Sequence, residues 1–249
     1  MSARGWALFA AVEMAVPWPL LGFGEVHITS SLAAILVATV PLFVALIAMR
    51  FDHSERPTVT RLVGMLVGLA GVVALVGIDI GGAGDELLGA LAVLLVAFLY
   101  AIGPMIVKRR LSDMDPLGPV AASLGIAALL VTPFALAGLP DEVPSADTFA
   151  SIAVLGLLCS ALAFLLFFRL IAEIGPGRAT VITYINPVVA LALGVAVLDE
   201  SITTGVVVGL LLILAGSWLS TDGRVPPGLV AIAGRLRGRT RARGFEAPG

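Results

Sequence analysis

Eight stretches of this sequence are apolar over close to the roughly 20 residues that an α-helix needs to cross a bilayer. They run near Trp6–Phe23, Ile28–Met49, Leu62–Gly77, Leu87–Val107, Leu117–Leu139, Phe149–Phe168, Ala179–Leu198 and Thr203–Ser220. The third and eighth are short and glycine-rich, so they are expected to run slightly past these limits. One soluble core could not hide so much apolar surface: 59% of the 249 residues are hydrophobic and only 13% are charged. Soluble domains carry about 45–50% apolar and about 25% charged residues. The sequence therefore predicts an all-α integral membrane protein with eight transmembrane helices. Glu13 interrupts the first apolar run and no clean small-x-small cleavage pattern follows, so that run reads as a retained span and not as a signal peptide.

Charge placement supports the count. With sides alternating, all 15 basic residues fall on one face of the membrane: Arg4, Arg50, Arg56, Arg61, Lys108, Arg109, Arg110, Arg169, Arg178, Arg224 and the arginines at 235, 237, 239, 241 and 243. The opposite face carries no base. It holds Glu25, Asp79, Asp85, Glu86, Asp141, Glu142, Asp147, Asp199 and Glu200. Cytoplasmic loops collect Lys and Arg, so both termini are expected in the cytoplasm of a plasma (inner) membrane protein. The formal net charge of −2 hides this asymmetry. The tail "GRLRGRTRARGF" reads as a disordered topology anchor that could also bind anionic lipid headgroups. Nothing in the chain points to nucleic acid.

Several chemistries lack their residues. The lone Cys159 excludes an internal disulfide, and the two histidines, His27 and His53, belong to no Cys/His cluster with metal-site spacing. There is no glycine-rich phosphate loop and no GxSxG elbow. Neither metal nor cofactor is expected.

The chain repeats itself. "ILVATVPLFVALIAMRFDHSER" at Ile35–Arg56 returns as "VITYINPVVALALGVAVLDESI" at Val181–Ile202. Laid over Glu200 and read without gaps, Glu55, Thr58, Gly64, Leu66, Leu69, Ala70 and Gly71 fall on Glu200, Thr203, Gly209, Leu211, Leu214, Ala215 and Gly216. Pro41 and Pro187 fall into line with one residue of slippage. An offset of about 145 residues points to internal duplication. Five helices separate the copies, so the second is inverted relative to the first. Inverted repeats place a pseudo-two-fold axis in the membrane plane and a site near their interface. A proline in mid-membrane is tolerated where neighbours or a cavity satisfy the freed backbone.

With these signatures in view, "PWPLLGFGEVHITSSLAAILVATVPLFVALIA" resembles the end of the third and the whole fourth helix of EamA-type carriers in the drug/metabolite transporter superfamily. "INPVVALALGVAVLDESITTGVVVGLLLILAG" resembles the ninth and tenth. The resemblance spans nearly everything from Trp6 to Ser220 and implies a gradient- or proton-driven carrier, often an exporter of small metabolites or toxic compounds. That family has two sets of five helices. Here residues 1–80 supply an incomplete first repeat of three, residues 81–222 a complete second repeat of five, and residues 223–249 the tail. The first two helices of the ten are expected to be missing, through a late annotated start, a truncation or a natural reduction.

Candidate site residues follow from depth and polarity. Glu13 is the only acid deep inside a span, roughly 10 Å beyond Trp6 at helical rise. An ionisable group there costs several kcal/mol and suggests function, the alternative being structural glue between helices. Thr183, Tyr184 and Asn186 make a polar patch beside Pro187. Tyr100 and Pro104, with Trp18 between Pro17 and Pro19, are further cavity candidates, and Pro41 marks the matching break in the first copy. Glu55 and Glu200 lie beside helix starts, where capping and macrodipole pairing explain them. Gly64, Gly71, Gly209 and Gly216 are read as close helix packing. The leading expectation is a secondary carrier working by alternating access on a small molecule within the lipid bilayer, with homodimerisation left open. The rivals are a truncated fragment that does not transport, and a membrane-embedded enzyme using Glu13 and His27.

Overall fold

The computed structural model describes residues 3–51, 58–79, 84–110, 117–140, 143–174 and 182–220, and among them every regular element is helical. Six helices are long and apolar enough to cross a membrane, and two shorter apolar ones, Tyr184–Leu198 and Thr204–Ser220, bring the total to the expected eight. The first span is α1 (Ala3–Ala10) and α2 (Pro17–His27), joined by a π-helical segment, Ala11–Ala15. The second is α3 (Ser30–Val37) and α4 (Val40–Phe51), broken at Ala38–Thr39. The third to fifth are α5 (Val59–Asp79), α6 (Gly84–Arg110) and α7 (Leu117–Ala137). The sixth runs from α8 (Ala146–Val154) through a π segment, Leu155–Leu162, into α9 (Ala163–Ile174). The last two are α10 (Ile182–Leu198) and α11 (Thr204–Ser220). Glu55, the loop around it and the arginine-rich tail lie outside the described residues.

Threonine and serine side chains start the helices. Thr29 Oγ1 accepts from Leu32 N–H at 3.3 Å, Thr58 Oγ1 from Arg61 N–H at 3.2 Å and Thr203 Oγ1 from Val206 N–H at 3.1 Å. Ser145 does the same for Thr148 at 3.3 Å. Such caps satisfy one of the amides that a helix start leaves unpaired. Thr58 and Thr203 are the residues that match each other in the repeat, and they cap matching helices.

The core sits where α3, α5, α6 and α11 meet, around Leu32, Ile35, Leu36, Leu75, Val93 and Ile213. Its centre is the α5–α11 pair, which packs backbone to backbone through the recurring glycines. A methyl on Gly64 would strike the Ser220 backbone, and one on Gly209 would lie 2.8 Å from Leu75 Cβ. A methyl on Gly71 would lie 2.9 Å from Ile213 N, and one on Gly216 would strike the Gly68 backbone. These contacts come in exchanged pairs. Adding 145 to one partner and subtracting it from the other turns Gly64–Ser220 into Gly209–Leu75, and Gly71–Ile213 into Gly216–Gly68. A two-fold axis perpendicular to two antiparallel helices produces this exchange. At its centre, the chain is an inverted pair.

The sixth span lies apart from that core. No residue in its Ala146–Phe167 window is buried, so its apolar surface is left to lipid.

Candidate functional site

Pro17 and Pro19 shape the middle of the first span. Val16 N–H donates to the Ala11 carbonyl at 3.0 Å, one residue further back than in an α-helix, and Leu20 N–H donates to the Val16 carbonyl at 3.3 Å. Between these two bonds neither proline has an N–H to give. The carbonyls of Val12, Glu13, Met14 and Ala15 are left to share one helix amide, that of Trp18. Such π segments occur often at functional sites.

Packing fixes which way this segment faces. Ala10 and Met14 are buried against Ala127 and its neighbours on α7. α2 lies against α6 at a glycine pair, where a methyl on Gly89 would come 2.8 Å from His27 Cβ and 3.1 Å from the Gly24 carbonyl. These antiparallel helices then carry the register inward. Eleven residues back from Gly24 and eleven on from Gly89 bring Glu13 opposite Tyr100. The Glu13 carboxylate lies close enough to act on the Tyr100 hydroxyl through space, and the Trp18 side chain reaches the same hydroxyl. Glu13 Oε2 is buried and has no hydrogen-bond partner among the described residues. An unmade bond of that kind is costly and calls for an occupant or a proton.

The remaining candidates lie elsewhere. Pro41 sits in the first turn of α4, just past the break. Pro187 is fully buried within α10, Tyr184 is half-buried and Asn186 is exposed. Thr183 lies in the first turn of α10, whose packing is against α3. The structure thus brings Glu13, Trp18 and Tyr100 together, while Tyr184, Asn186 and Pro187 lie on α10, the helix that packs against α3. His27 lies at the far end of α2, about 21 Å along the helix from Glu13 at helical rise. Its Nδ1 is 2.8 Å from the Phe23 carbonyl. That separation gives no support to a Glu13–His27 catalytic pair.

Two ties between the copies escaped the sequence reading. Glu200 was expected to cap the helix beside it, but Thr203 does that. The Glu200 carboxylate instead crosses to the start of α3, accepting from Ser30 N–H at 2.9 Å, from Ser31 N–H at 3.2 Å and from the Ser31 hydroxyl. Its charge meets the positive end of the α3 macrodipole. Asp199, at φ 53°, turns the chain into this position, and Glu200 N–H closes the turn on the Gly194 carbonyl at 3.1 Å. Any side chain at Gly194 would occupy the place of the Ser31 hydroxyl and the Glu200 carboxylate. Thr29-Ser30-Ser31 is legible as a capping cluster, but nothing local names a partner 170 residues away. The second tie joins the Ser217 hydroxyl to the Ala38 carbonyl at 3.1 Å, in a fully buried position.

Comparison with known proteins gives the chain its relatives. Residues 87–221 match the model of the EamA-like transporter family. The chain is 28% identical over 207 residues to the uncharacterized transporter YoaV of Bacillus subtilis, covering 81% of this chain and 70% of that protein. It is 29% identical over 180 residues to the uncharacterized inner membrane transporter YedA of Escherichia coli K12, and spans only 57% of YedA's length. A probable terminal-alkyne amino-acid exporter of Streptantibioticus cattleyicolor is 29% identical over 236 residues, covering 92% of this chain and 69% of the exporter. A crystal structure titled only as that of a protein aligns with all of this chain and 79% of its own, with a TM-score of 0.59 at 20% identity, a likeness of fold.

Proposed function

The chain belongs to the EamA-like transporter family, and on that premise we propose that it is a secondary carrier, coupled to protons through Glu13. It moves a small molecule by alternating access, in the export direction, between helices of the two copies. The observation that carries this reading is the buried, unpartnered Oε2 of Glu13, set beside a helix segment whose carbonyls outnumber its amides. A proton-coupled carrier needs a group that can change charge within the membrane, and Glu13 is the acid placed to do so. Both termini lie in the cytoplasm, a reading supported by the segregation of all 15 basic residues to one side. The export direction is suggested by the amino-acid exporter among the relatives.

The test is flux in proteoliposomes under an imposed proton gradient, with substrates found by screening for compounds that move an internal pH dye. Glu13→Gln keeps the shape of the side chain and removes its titration. Gradient-driven flux is expected to fall at least about a hundredfold, the scale of losing a proton-transferring group, while the protein stays folded. Unchanged flux and an unchanged pH profile in the variant would leave Glu13 as structural glue.

A further inference from the structure

We propose that the Glu200 carboxylate is the latch of a gate: while it grips the start of α3 the acid-rich face is shut, and the grip breaks when that face opens. The proposal rests on the carrier reading above for its meaning in transport. Its parts are a fixed helix, a loosely held helix and the tie between them. α3 is the fixed one. Leu32, Ile35 and Leu36 lie in the core with Leu75, Val93 and Ile213, and the Ser217 hydroxyl holds the Ala38 carbonyl in a buried position. α10 is the loose one. Among the described residues it packs chiefly against α3, and its Val188, Val189, Leu193 and Val197 are exposed. Gly194, near the outer end of α10, meets Ser31 at the start of α3. Beyond the break, α4 packs against α5, α6 and α11 instead. The two proline-bearing spans therefore meet in the half of the membrane next to the acid-rich face, and this contact closes it.

The tie joins these helices and is needed to start neither neighbour. Thr29 already caps α3 and Thr203 already caps α11. The bonds from Ser30 and Ser31 to Glu200 are therefore purely bonds between the copies. They also lie at the membrane edge, since Ser30 begins its span and Glu200 falls just past the end of its own. Water can take over a carboxylate, two amides and a hydroxyl there, so the tie can be broken and remade. The buried Ser217–Ala38 bond has no such replacement, and that end of α3 stays put. A like charge works against the tie: Glu25 on α2 is near enough for its charge to act on Glu200. The latch is also one-sided. Under the offset that places Pro41 on Pro187, Ser30 and Ser31 fall on Pro176 and Gly177. Pro176 has no amide and neither residue has a hydroxyl, so the sequence does not repeat the latch at the other face.

The test is the distance between two spin labels on the full chain in lipid nanodiscs, with Cys159→Ala as the background. The labels go on Val26→Cys at the outer end of α2 and Val197→Cys at the outer end of α10, both exposed positions. The chain with native Glu200 should show one short-distance population. Glu200→Gln keeps the size of the side chain and removes its charge and one acceptor. It should raise a longer-distance population at least about tenfold, the scale of one charge-assisted hydrogen bond. Ser31→Ala removes only the hydroxyl and should raise the same population by a smaller factor, so the test survives a Glu200→Gln that does not fold. A control pair, Leu66→Cys on α5 and Leu129→Cys on α7, is exposed and on neither α3 nor α10, and should not move in either variant.

A distance that stays the same in both Glu200→Gln and Ser31→Ala overturns the latch and leaves Glu200 a fixed brace. A control pair that moves as far as the latch pair overturns it too, because the whole bundle would then be loosening. Opening at the latch pair, in a chain through which no gradient drives any flux, would sink the carrier reading alone. Gradient-driven flux with a latch pair that neither variant moves would sink the latch alone.

Discussion

Pro41 and Pro187 stand at matching points of two similar stretches, yet the helix around Pro41 breaks and the helix around Pro187 runs on. α3 stops at Val37 and α4 begins at Val40, whereas α10 is continuous from Ile182 to Leu198 with Pro187 inside it. The difference lies in hydroxyl groups near each proline. In the first copy Thr39 donates its hydroxyl to the Leu36 carbonyl at 2.6 Å. The Thr39 carbonyl then takes the amides of Leu42 at 2.8 Å and Phe43 at 3.3 Å. Leu42 is thereby drawn away from Ala38, whose carbonyl is satisfied by Ser217 instead. In the second copy Ile185 stands two residues before the proline where Thr39 stands in the first, and the residue matching Ser217 is Val72. Neither has a donor. A proline removes one helix bond; side-chain donors decide whether the chain then departs from the helix.

The comparison breaks first, and with the largest expected effect, where the two copies are most alike. Gly216→Ala sets a methyl hard against the Gly68 backbone, whereas Gly209→Ala meets Leu75 less closely, at 2.8 Å from its Cβ and Cδ1. Unfolding midpoints in detergent should show Gly216→Ala destabilised by about 3 kcal/mol and Gly209→Ala by about 1 kcal/mol, the upper and lower ends of overpacking costs. Equal, small losses would mean that the α5–α11 contact is looser than described.

A middle-sized effect tests the tie that Glu200 makes. Glu200→Ala removes an acceptor from two α3 amides and the Ser31 hydroxyl. The loss should be about 2 kcal/mol, in the upper range for a helix cap. Adding Ser31→Ala to it should cost little more, since the two share one interaction. Full additivity would place the energy of Glu200 elsewhere.

The finest test returns to the two prolines. Thr39→Val leaves the break without its hydroxyl bond and should cost about 1 kcal/mol, and Ser217→Ala should cost a similar amount by orphaning the Ala38 carbonyl. Ile185→Thr offers the second copy the missing hydroxyl at an exposed position, and should shift stability by less than about 0.5 kcal/mol. Hydrogen exchange on α10 is the accompanying measurement. Unaltered protection in Ile185→Thr is expected if one hydroxyl without its Ser217 counterpart does not break the helix.

Much of the site's raw material could be read from the chain. Glu13 stood out because an acid deep in an apolar run is rare, and Trp18 because prolines flank it. Their meeting with Tyr100 could not be read, because it depends on the Gly24–Gly89 approach that sets the α2–α6 register. Asn186 and Tyr184 are equally polar in the sequence, but they lie on α10, which packs against α3.

By itself the sequence determined the membrane class, the eight helices and the duplication. Those depend on hydropathy over about twenty residues and on glycine, proline and threonine recurring in order, which are properties of the chain read locally. Tertiary structure alone decided which broken helix stays broken, which carboxylate grips which helix start and which acid is left without a partner. The Ser217 hydroxyl reaches Ala38 across 179 residues and the Glu200 carboxylate reaches Ser30 across 170, and no local pattern encodes such an arrival.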